Sequence, residues 1–361
     1  MDTNTTMTSA THFDISQLPS LKDGMTAEDE SEKRRKTCRF IEEAGRLLKL
    51  PRVAVSTAMV FFHRFYAKHS FAKHDRFEVA VATIVLAAKT EESPKKVNTV
   101  ILECHKLKHR GMQAGRISQQ RTSSGGASPP PPPPSADLDP KGKEFTKLKE
   151  RILLLERVIL HTIGFELSID HPYKFFVEQI KKLIHTRQLK YISPPADLPS
   201  SQLVTKMMNE LVQYAMSFAN DSMHTSLCLQ FTPQEIATAC VFLAGQFAKV
   251  EPVPTTTGAS TSSSSSAEAW GKVLSYPNVE TLASICIQIM DLISERKASD
   301  TESIKRIKAQ LDLMKQRDEQ KHATADESPG NSSAAATTAS SGIKRSPPPP
   351  PPPTDAKRPR N

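Results

Sequence analysis

The sequence predicts an all-α chain with two tandem helical domains. Three observations carry that reading. Apolar residues recur at helical rather than alternating spacing, glycine is scarce in the periodic segments, and two alanine-rich apolar helices lie 157 residues apart. The chain has 361 residues, and at roughly 100–200 residues per domain this allows about two. Low-complexity segments take a share of that length. Of the 27 prolines, 13 fall in Pro129–Pro134 and Pro347–Pro353, and serine and threonine fill Thr255–Ser266 and much of Ser328–Ser341. Such segments bury too little apolar surface to offset the entropy of ordering them. About 220–240 residues remain, enough for two ordinary cores.

Residues 1–33 are polar and are expected to be disordered. Phe40, Ile41, Ala44, Leu47 and Leu48 mark a first helix, ended before Pro51. A second spans about 51–68, with Val55, Ala58, Met59, Phe62 and Phe65 inward. Phe61, Phe62, Phe65 and Tyr66 at that spacing read as core rather than as a stacking platform. A third helix, about 75–91, is apolar nearly all round, which predicts burial on most sides. Ser93-Pro94 reads as an N-cap with Pro at N1, opening a fourth helix to about His109. Residues 111–142 read as a low-complexity insert. Lys143–Ile163 is a fifth helix with Ile152, Leu155, Val158, Ile159 and Thr162 on one stripe, and Gly164 sits at its C′ position.

Beyond His171-Pro172 the pattern restarts, with helices expected at 172–186, 200–221, 233–248 and 278–295. Thr232-Pro233-Gln234-Glu235 is a capping box with Pro at N1. A Ser/Thr-rich insert covers 253–268, and Trp270, the single tryptophan, is expected to pack on the second domain. Residues 299–323 have the composition of a polar, exposed helix. The domains are therefore placed at 34–165 and 166–296, with a basic, Pro/Ser-rich and mostly disordered tail over 297–361.

The two domains share a pattern. A gapless shift of 157 residues lays Val79–Ala88 over Ile236–Gly245, with Ala80, Ala82, Leu86 and Ala87 identical to their partners. The preceding helix aligns in the same register. This implies two copies of one architecture.

Several function classes are excluded or weakened. The five cysteines, Cys38, Cys104, Cys228, Cys240 and Cys286, form no C-x-x-C pair, which argues against a zinc ribbon and for a reducing compartment. No apolar run reaches the roughly 18 residues of a membrane span. The polar start Met1–Ser20 has no apolar signal core, so secretion is not expected. His105 and His109 lie one turn apart beside Cys104, but no four-ligand set is visible and Lys106, Lys108 and Arg110 oppose a cation. No metal or cofactor is expected. No phosphate loop, nucleophile elbow, zinc-protease helix or kinase signature set occurs, so no catalytic residue is assigned. The net charge is +9, and the segment 296–361 holds 13 basic against 8 acidic residues. Most of the excess therefore lies in the tail, which gives no strong support for a DNA-binding surface on the folded domains.

Phe62-His63-Arg64-Phe65-Tyr66 and Leu86-Ala87-Ala88-Lys89-Thr90-Glu91-Glu92-Ser93-Pro94-Lys95-Lys96 resemble the first cyclin box of a transcriptional cyclin. Leu154–Leu160, Gly164-Phe165-Glu166-Leu167 and Asp170-His171-Pro172-Tyr173 resemble its fifth helix and the entry to the second box. Asn220-Asp221-Ser222 and Thr225–Phe231 are similar to the second box. The resemblance covers roughly 36–295 and is strongest to the cyclin T/cyclin K group, with cyclin L as competitor through Ser70–Asp75.

The resemblance implies two tandem five-helix cyclin boxes and a non-catalytic partner of a cyclin-dependent kinase. Such a subunit holds the kinase αC helix inward and completes its Lys–Glu ion pair. The kinase complex would act on the RNA polymerase II C-terminal domain. Lys89, Thr90, Glu92 and Glu156 are the residues it implies at the kinase contact. From residue types alone, Lys89 and Glu156 read as a solvated surface pair, and it is the motif context that reverses this. Lys89 overlies Gln246 in the shift, so the first copy carries the charge and the second does not. Thr90 stands where many cyclins have a large apolar residue, and His63 where cell-cycle cyclins commonly have aspartate.

Lys344-Arg345 and Lys357-Arg358-Pro359-Arg360 resemble a bipartite nuclear localisation signal, which predicts a nuclear protein. Ser128, Ser328 and Ser346 precede prolines and are candidate sites of proline-directed phosphorylation. The alternatives are a cyclin L-like splicing cyclin, although this tail has no Arg-Ser tract, and a TFIIB-like nucleic-acid adaptor, although no zinc ribbon is present.

Overall fold

Side-chain caps set several of the helix starts in the computed structural model. It describes residues 13–122, 138–194, 199–253, 266–274 and 278–296, with 305, 307, 309, 311 and 312. After a 3-10 turn at Ile15–Gln17, α1 spans Pro19–Lys22 and α2 Ala27–Leu47. Thr26 caps α2 by accepting from the Asp29 N–H, and three acidic residues in the first turn complement the helix dipole. The chain is thus helical well before residue 34, where order was expected to begin, and Leu18 is fully buried.

α3 (Arg52–Lys68), α4 (Arg76–Thr90) and α6 (Lys143–Thr162) lie where the periodicity places them. Asp75 caps α4 by accepting from the N–H groups of Phe77 and Glu78. The expected start of the next helix is corrected, because α5 spans Val97–Thr122. The Ser93 N–H is already used, donating to the Ala88 carbonyl at 2.9 Å as the closing bond of the α4 cap. Residues 93–96 are a non-helical connection, and 111–122 are helical rather than part of an insert. Gly164, at φ +66°, is the left-handed residue closing α6, as expected.

The second half contains α7 (Pro172–His185), β1 (Leu189–Tyr191), α8 (Ser200–Ser222), α9 (Leu227–Gln230), α10 (Pro233–Phe247), β2 (Val250–Pro252), α11 (Ser266–Val273) and α12 (Val279–Arg296). Thr232 and Glu235 form the expected capping box at α10. β1 and β2 pair antiparallel, Lys190 opposite Glu251.

Each half is a bundle around one buried helix. α2, α3, α5 and α6 surround α4, whose residues Val79–Ala88 are all buried. α7, α8 and α12 surround α10, whose residues Ile236–Gly245 are all buried. Residues 305, 307, 309, 311 and 312 are helical, and Ile307 and Leu311 are buried in the second core. This corrects the expectation of an exposed helix over 299–323 and carries the second bundle past 296. Trp270 is fully buried, edge-on to Phe242 with ring centroids 6.1 Å apart. The described residues form one compact unit.

Polar contacts join the halves. Tyr173 Oη lies 2.8 Å from Ser56 Oγ, donates to Asn220 Oδ1 at 3.0 Å, and accepts from Arg52 Nε at 3.3 Å. His224 Nε2 meets Glu42 Oε2 at 3.1 Å, and Arg52 Nη1 donates to Glu42 Oε1 at 2.6 Å. Hydrogen bonds from His224, and then from Arg52, hold the Glu42 carboxyl down at about 2. The Phe13 N–H reaches the Leu229 carbonyl, while Ser20 Oγ accepts from the Phe71 N–H, so the N-terminal segment touches both halves.

Candidate functional site

α4 positions the site: its residues Val79–Ala88 are buried, and its last turn emerges from the bundle. Lys89 is the first exposed residue after Ala88. Its Nζ donates to Glu156 Oε1 at 2.6 Å, with the Lys89 side chain 51% exposed and that of Glu156 10%. The pair is asymmetric: a carboxylate sunk between helices holds an ammonium that still faces solvent. Such an ammonium keeps donor capacity for a docked backbone carbonyl.

The other expected residues cluster on the same turn. Thr90 is half-buried, and its hydroxyl donates to the Leu86 carbonyl at 3.1 Å. Glu92 is exposed and left-handed at φ 50°. Its N–H donates to the Lys89 carbonyl, and with the Ser93 bond this closes a Schellman cap on a non-glycine residue. The structure thus brings Lys89, Thr90, Glu92 and Glu156 to one end of α4.

Two exposed apolar residues missed in the sequence lie on α6 and just past its end. Leu154 on α6 is 55% exposed, and Phe165, just past Gly164, is 59% exposed at φ 59°. A bulky residue in the left-handed region is strained, and such strain concentrates at functional sites. A signal for Leu154 was present: three consecutive leucines on a helix cannot all face one core. The segment is anchored from α3, by Lys68 Nζ donating to the Thr162 carbonyl at 3.0 Å and by an Arg64–Glu166 pair at 3.3 Å.

His63 is fully buried. Its Nε2 faces the Met223 carbonyl at 3.0 Å, and a carbonyl can only accept, so Nε2 carries the proton and Nδ1 accepts from Arg34 Nη1 at 3.3 Å. Burial, reinforced by the Arg34 charge, holds His63 down at about 3, so it is neutral. An aspartate could not make that bond to Met223. The carboxylate beside Arg34 is instead Glu30, whose Oε1 accepts from Arg34 Nε at 2.6 Å.

Phe61, Phe62, Phe65 and Tyr66 are fully buried. The rings of His105 and His109 are 4.4 Å apart, and among the described residues no group of three or more His, Cys, Asp or Glu could hold a metal. All five cysteines are unpaired. No helix among the described residues is long and apolar enough to cross a membrane. Lys344, Arg345, Lys357, Arg358 and Arg360, the polyproline runs, and Ser128, Ser328 and Ser346 lie outside the described residues.

Residues 5–168 match the family model described as Cyclin, N-terminal domain. The chain is 36% identical over 234 residues to Cyclin-T1-3 of Oryza sativa subsp. japonica, covering 64% of this chain and 39% of that protein. It is 31% identical over 284 residues to Cyclin-K of Homo sapiens, covering 79% and 40%. It is 32% identical over 241 residues to Cyclin-L1 of Homo sapiens, covering 67% and 38%. The chain thus spans about two fifths of the length of these relatives. A solved structure of the yeast RNA Pol II CTD kinase CTDK-1 complex aligns at a TM-score of 0.46 and 15% identity, covering 74% of this chain and 67% of that chain. The chain thus carries a cyclin N-terminal domain, with cyclins named T and K among its relatives.

Proposed function

We propose that this chain is the non-catalytic regulatory subunit of a transcriptional cyclin-dependent kinase and that the end of α4 is its docking surface. The observation that carries the reading is the Lys89–Glu156 pair, with the lysine half exposed at the C-terminal end of a helix whose middle is buried. The kinase αC helix would pack against this end, with Lys89 donating to its backbone carbonyls and Leu154 and Phe165 supplying apolar contact. Thr90 offers less apolar surface than a larger residue would, which suits a kinase with a complementary bulge.

Docking activates by selection. A subunit that binds the αC-in state better than the αC-out state shifts the population, and moving it from 1:99 to 99:1 takes about 5.5 kcal/mol of differential affinity. An interface of standard size can supply that. The kinase would phosphorylate the RNA polymerase II C-terminal domain and so promote elongation. The basic clusters Lys344-Arg345 and Lys357-Arg358-Pro359-Arg360 would direct the chain to the nucleus.

The test is affinity purification of the tagged chain from nuclear extract beside a Lys89→Ala/Glu156→Ala variant. Each eluate is assayed on a peptide of the polymerase repeat. Wild type is expected to bring down a cyclin-dependent kinase and repeat-directed activity, and the variant to lose both. Equal activity in both eluates removes the site assignment. Recovery of DNA-bound initiation factors without a kinase favours the adaptor reading, and recovery of spliceosomal proteins with the kinase favours a cyclin L-like role.

A further inference from the structure

Thr57 lies in α3, fully buried, and its hydroxyl touches two residues from distant parts of the chain. Thr57 Oγ1 donates to Glu91 Oε1 at 2.7 Å. The same oxygen lies 2.8 Å from His171 Nε2. A hydroxyl has one proton, and an ionised carboxylate can only accept. The Thr57 proton therefore points to Glu91, and the Thr57 oxygen accepts from a protonated His171 Nε2. This assigns the His171 tautomer, and burial keeps the ring neutral with its pKa down at about 4.

The two partners sit at the ends that matter. His171 is the N-cap residue of α7, the first helix of the second bundle. Glu91 is the C-cap residue of α4, between Thr90 and Glu92. Nearby, Tyr173 holds the start of α7 on α3 through Ser56. The seat of the second bundle on α3 and the last turn of α4 thus share one buried hydroxyl.

We propose that Thr57 is a positioning residue for the docking end of α4, coupling the seat of the second bundle, through His171 and Glu91, to Lys89, Thr90 and Glu92. This inference rests on the docking reading above. Without the hydroxyl, the Glu91 carboxylate loses its anchor beside the left-handed Glu92, and the cap that presents Lys89 is no longer tied to α3.

The test compares Thr57→Val, which removes the hydroxyl at similar volume, with Thr57→Ser, which keeps it. Both are made in the full chain and titrated against the purified kinase that wild type captures. Ile285→Val, in the second core, serves as a control for lost stability, and Lys89→Ala/Glu156→Ala as a control for docking. Thr57→Val is expected to weaken kinase affinity roughly tenfold, the effect of one lost charge-assisted hydrogen bond. Thr57→Ser is expected to restore it, and Ile285→Val to leave it unchanged. Nitrogen spectra of labelled histidine are expected to show His171 protonated at Nε2 in wild type and Thr57→Ser, and a tautomer mixture in Thr57→Val.

Wild-type affinity in Thr57→Val, with binding lost in the Lys89/Glu156 variant, overturns the positioning role and leaves docking standing. An equal loss in Ile285→Val, or an unchanged His171 tautomer in Thr57→Val, overturns it as well. Wild-type affinity in the Lys89/Glu156 variant, or no kinase captured at all, overturns the docking reading and this inference with it.

Discussion

α4 and α10 are one helix built twice. Their boundaries, Arg76–Thr90 and Pro233–Phe247, are offset by 157 residues at both ends, and each buries the same ten-residue stretch. They differ in the chain beyond the last turn. α4 ends in a cap on Glu92 and a non-helical connection, with Lys89 exposed beside Glu156. α10 runs through Lys249, left-handed at φ 53°, straight into β2, which packs back on it and pairs with β1. β2 of the same chain packs on the end of α10, where Gln246 and Phe247 are half-buried, whereas Lys89 and Glu92 at the end of α4 are exposed. The residue in register with Lys89 is Gln246. One architecture thus supports a docking end in the first bundle and a closed end in the second.

A second difference is internal. Ala88 of α4 aligns with Gly245 of α10, and a Cβ at 245 would stand 2.3 Å from Cζ2 of Trp270. The second core has traded a methyl group for a buried indole. Trp270→Ala is expected to cost about 3–5 kcal/mol through the cavity it leaves, read as a fall in urea midpoint. The matching loss in the first bundle is Glu30→Ala, which strands the Arg34 charge in the core. Breaking a buried ion pair costs about 3–5 kcal/mol, and a loss within experimental error would show that Arg34 finds other partners. Gly245→Ala is expected to destabilise by about 1–3 kcal/mol through overpacking. The reverse exchange, Ala88→Gly, is expected to cost about 1 kcal/mol. A Gly245→Ala variant as stable as wild type would refute the Trp270 explanation.

The contact between the bundles yields a pH prediction. Glu42 sits at about 2 against an ordinary 4.5, chiefly through the hydrogen bond from His224 and next through that from Arg52. A carboxylate depressed in the folded state contributes stability above its unfolded value, and loses it as pH falls from 4.5 toward 2. Glu42→Gln is therefore expected to be less stable than wild type at pH 6, with the gap closing by pH 2–3 in urea titrations. The effect is small because the Glu42 side chain is 40% exposed. A gap independent of pH would remove Glu42 from the account. Smaller still, Gln246→Lys is expected to change stability by under about 0.5 kcal/mol and to create no docking, since β2 covers that end.

Much of this architecture was legible because local signals agreed. The 157-residue repeat, the Thr232/Glu235 capping box and Gly164 each survive in the structure. Ser93-Pro94 misled because Ser93 closes α4 through its N–H to Ala88, while its Oγ accepts from no N–H of the following helix. The polar segment at 299–323 hid Ile307 and Leu311, one turn apart and both buried. The three-residue strands are too short for alternation to show. For the candidate site, the family resemblance pointed to Lys89 and Glu156, but not to Phe165, which is left-handed just past α6 and exposed. The Glu91–Thr57–His171 contacts join residues far apart in sequence, and no local pattern carries them.

The most direct test of an open first end and a closed second end is hydrogen–deuterium exchange of the chain with and without its kinase. Binding is expected to protect the last turn of α4 through Glu92, and α6 from Leu154 to Phe165, while leaving the α10–β2 junction unchanged. Protection centred on α10 and β2, with α4 exchanging as in the free chain, would contradict the account.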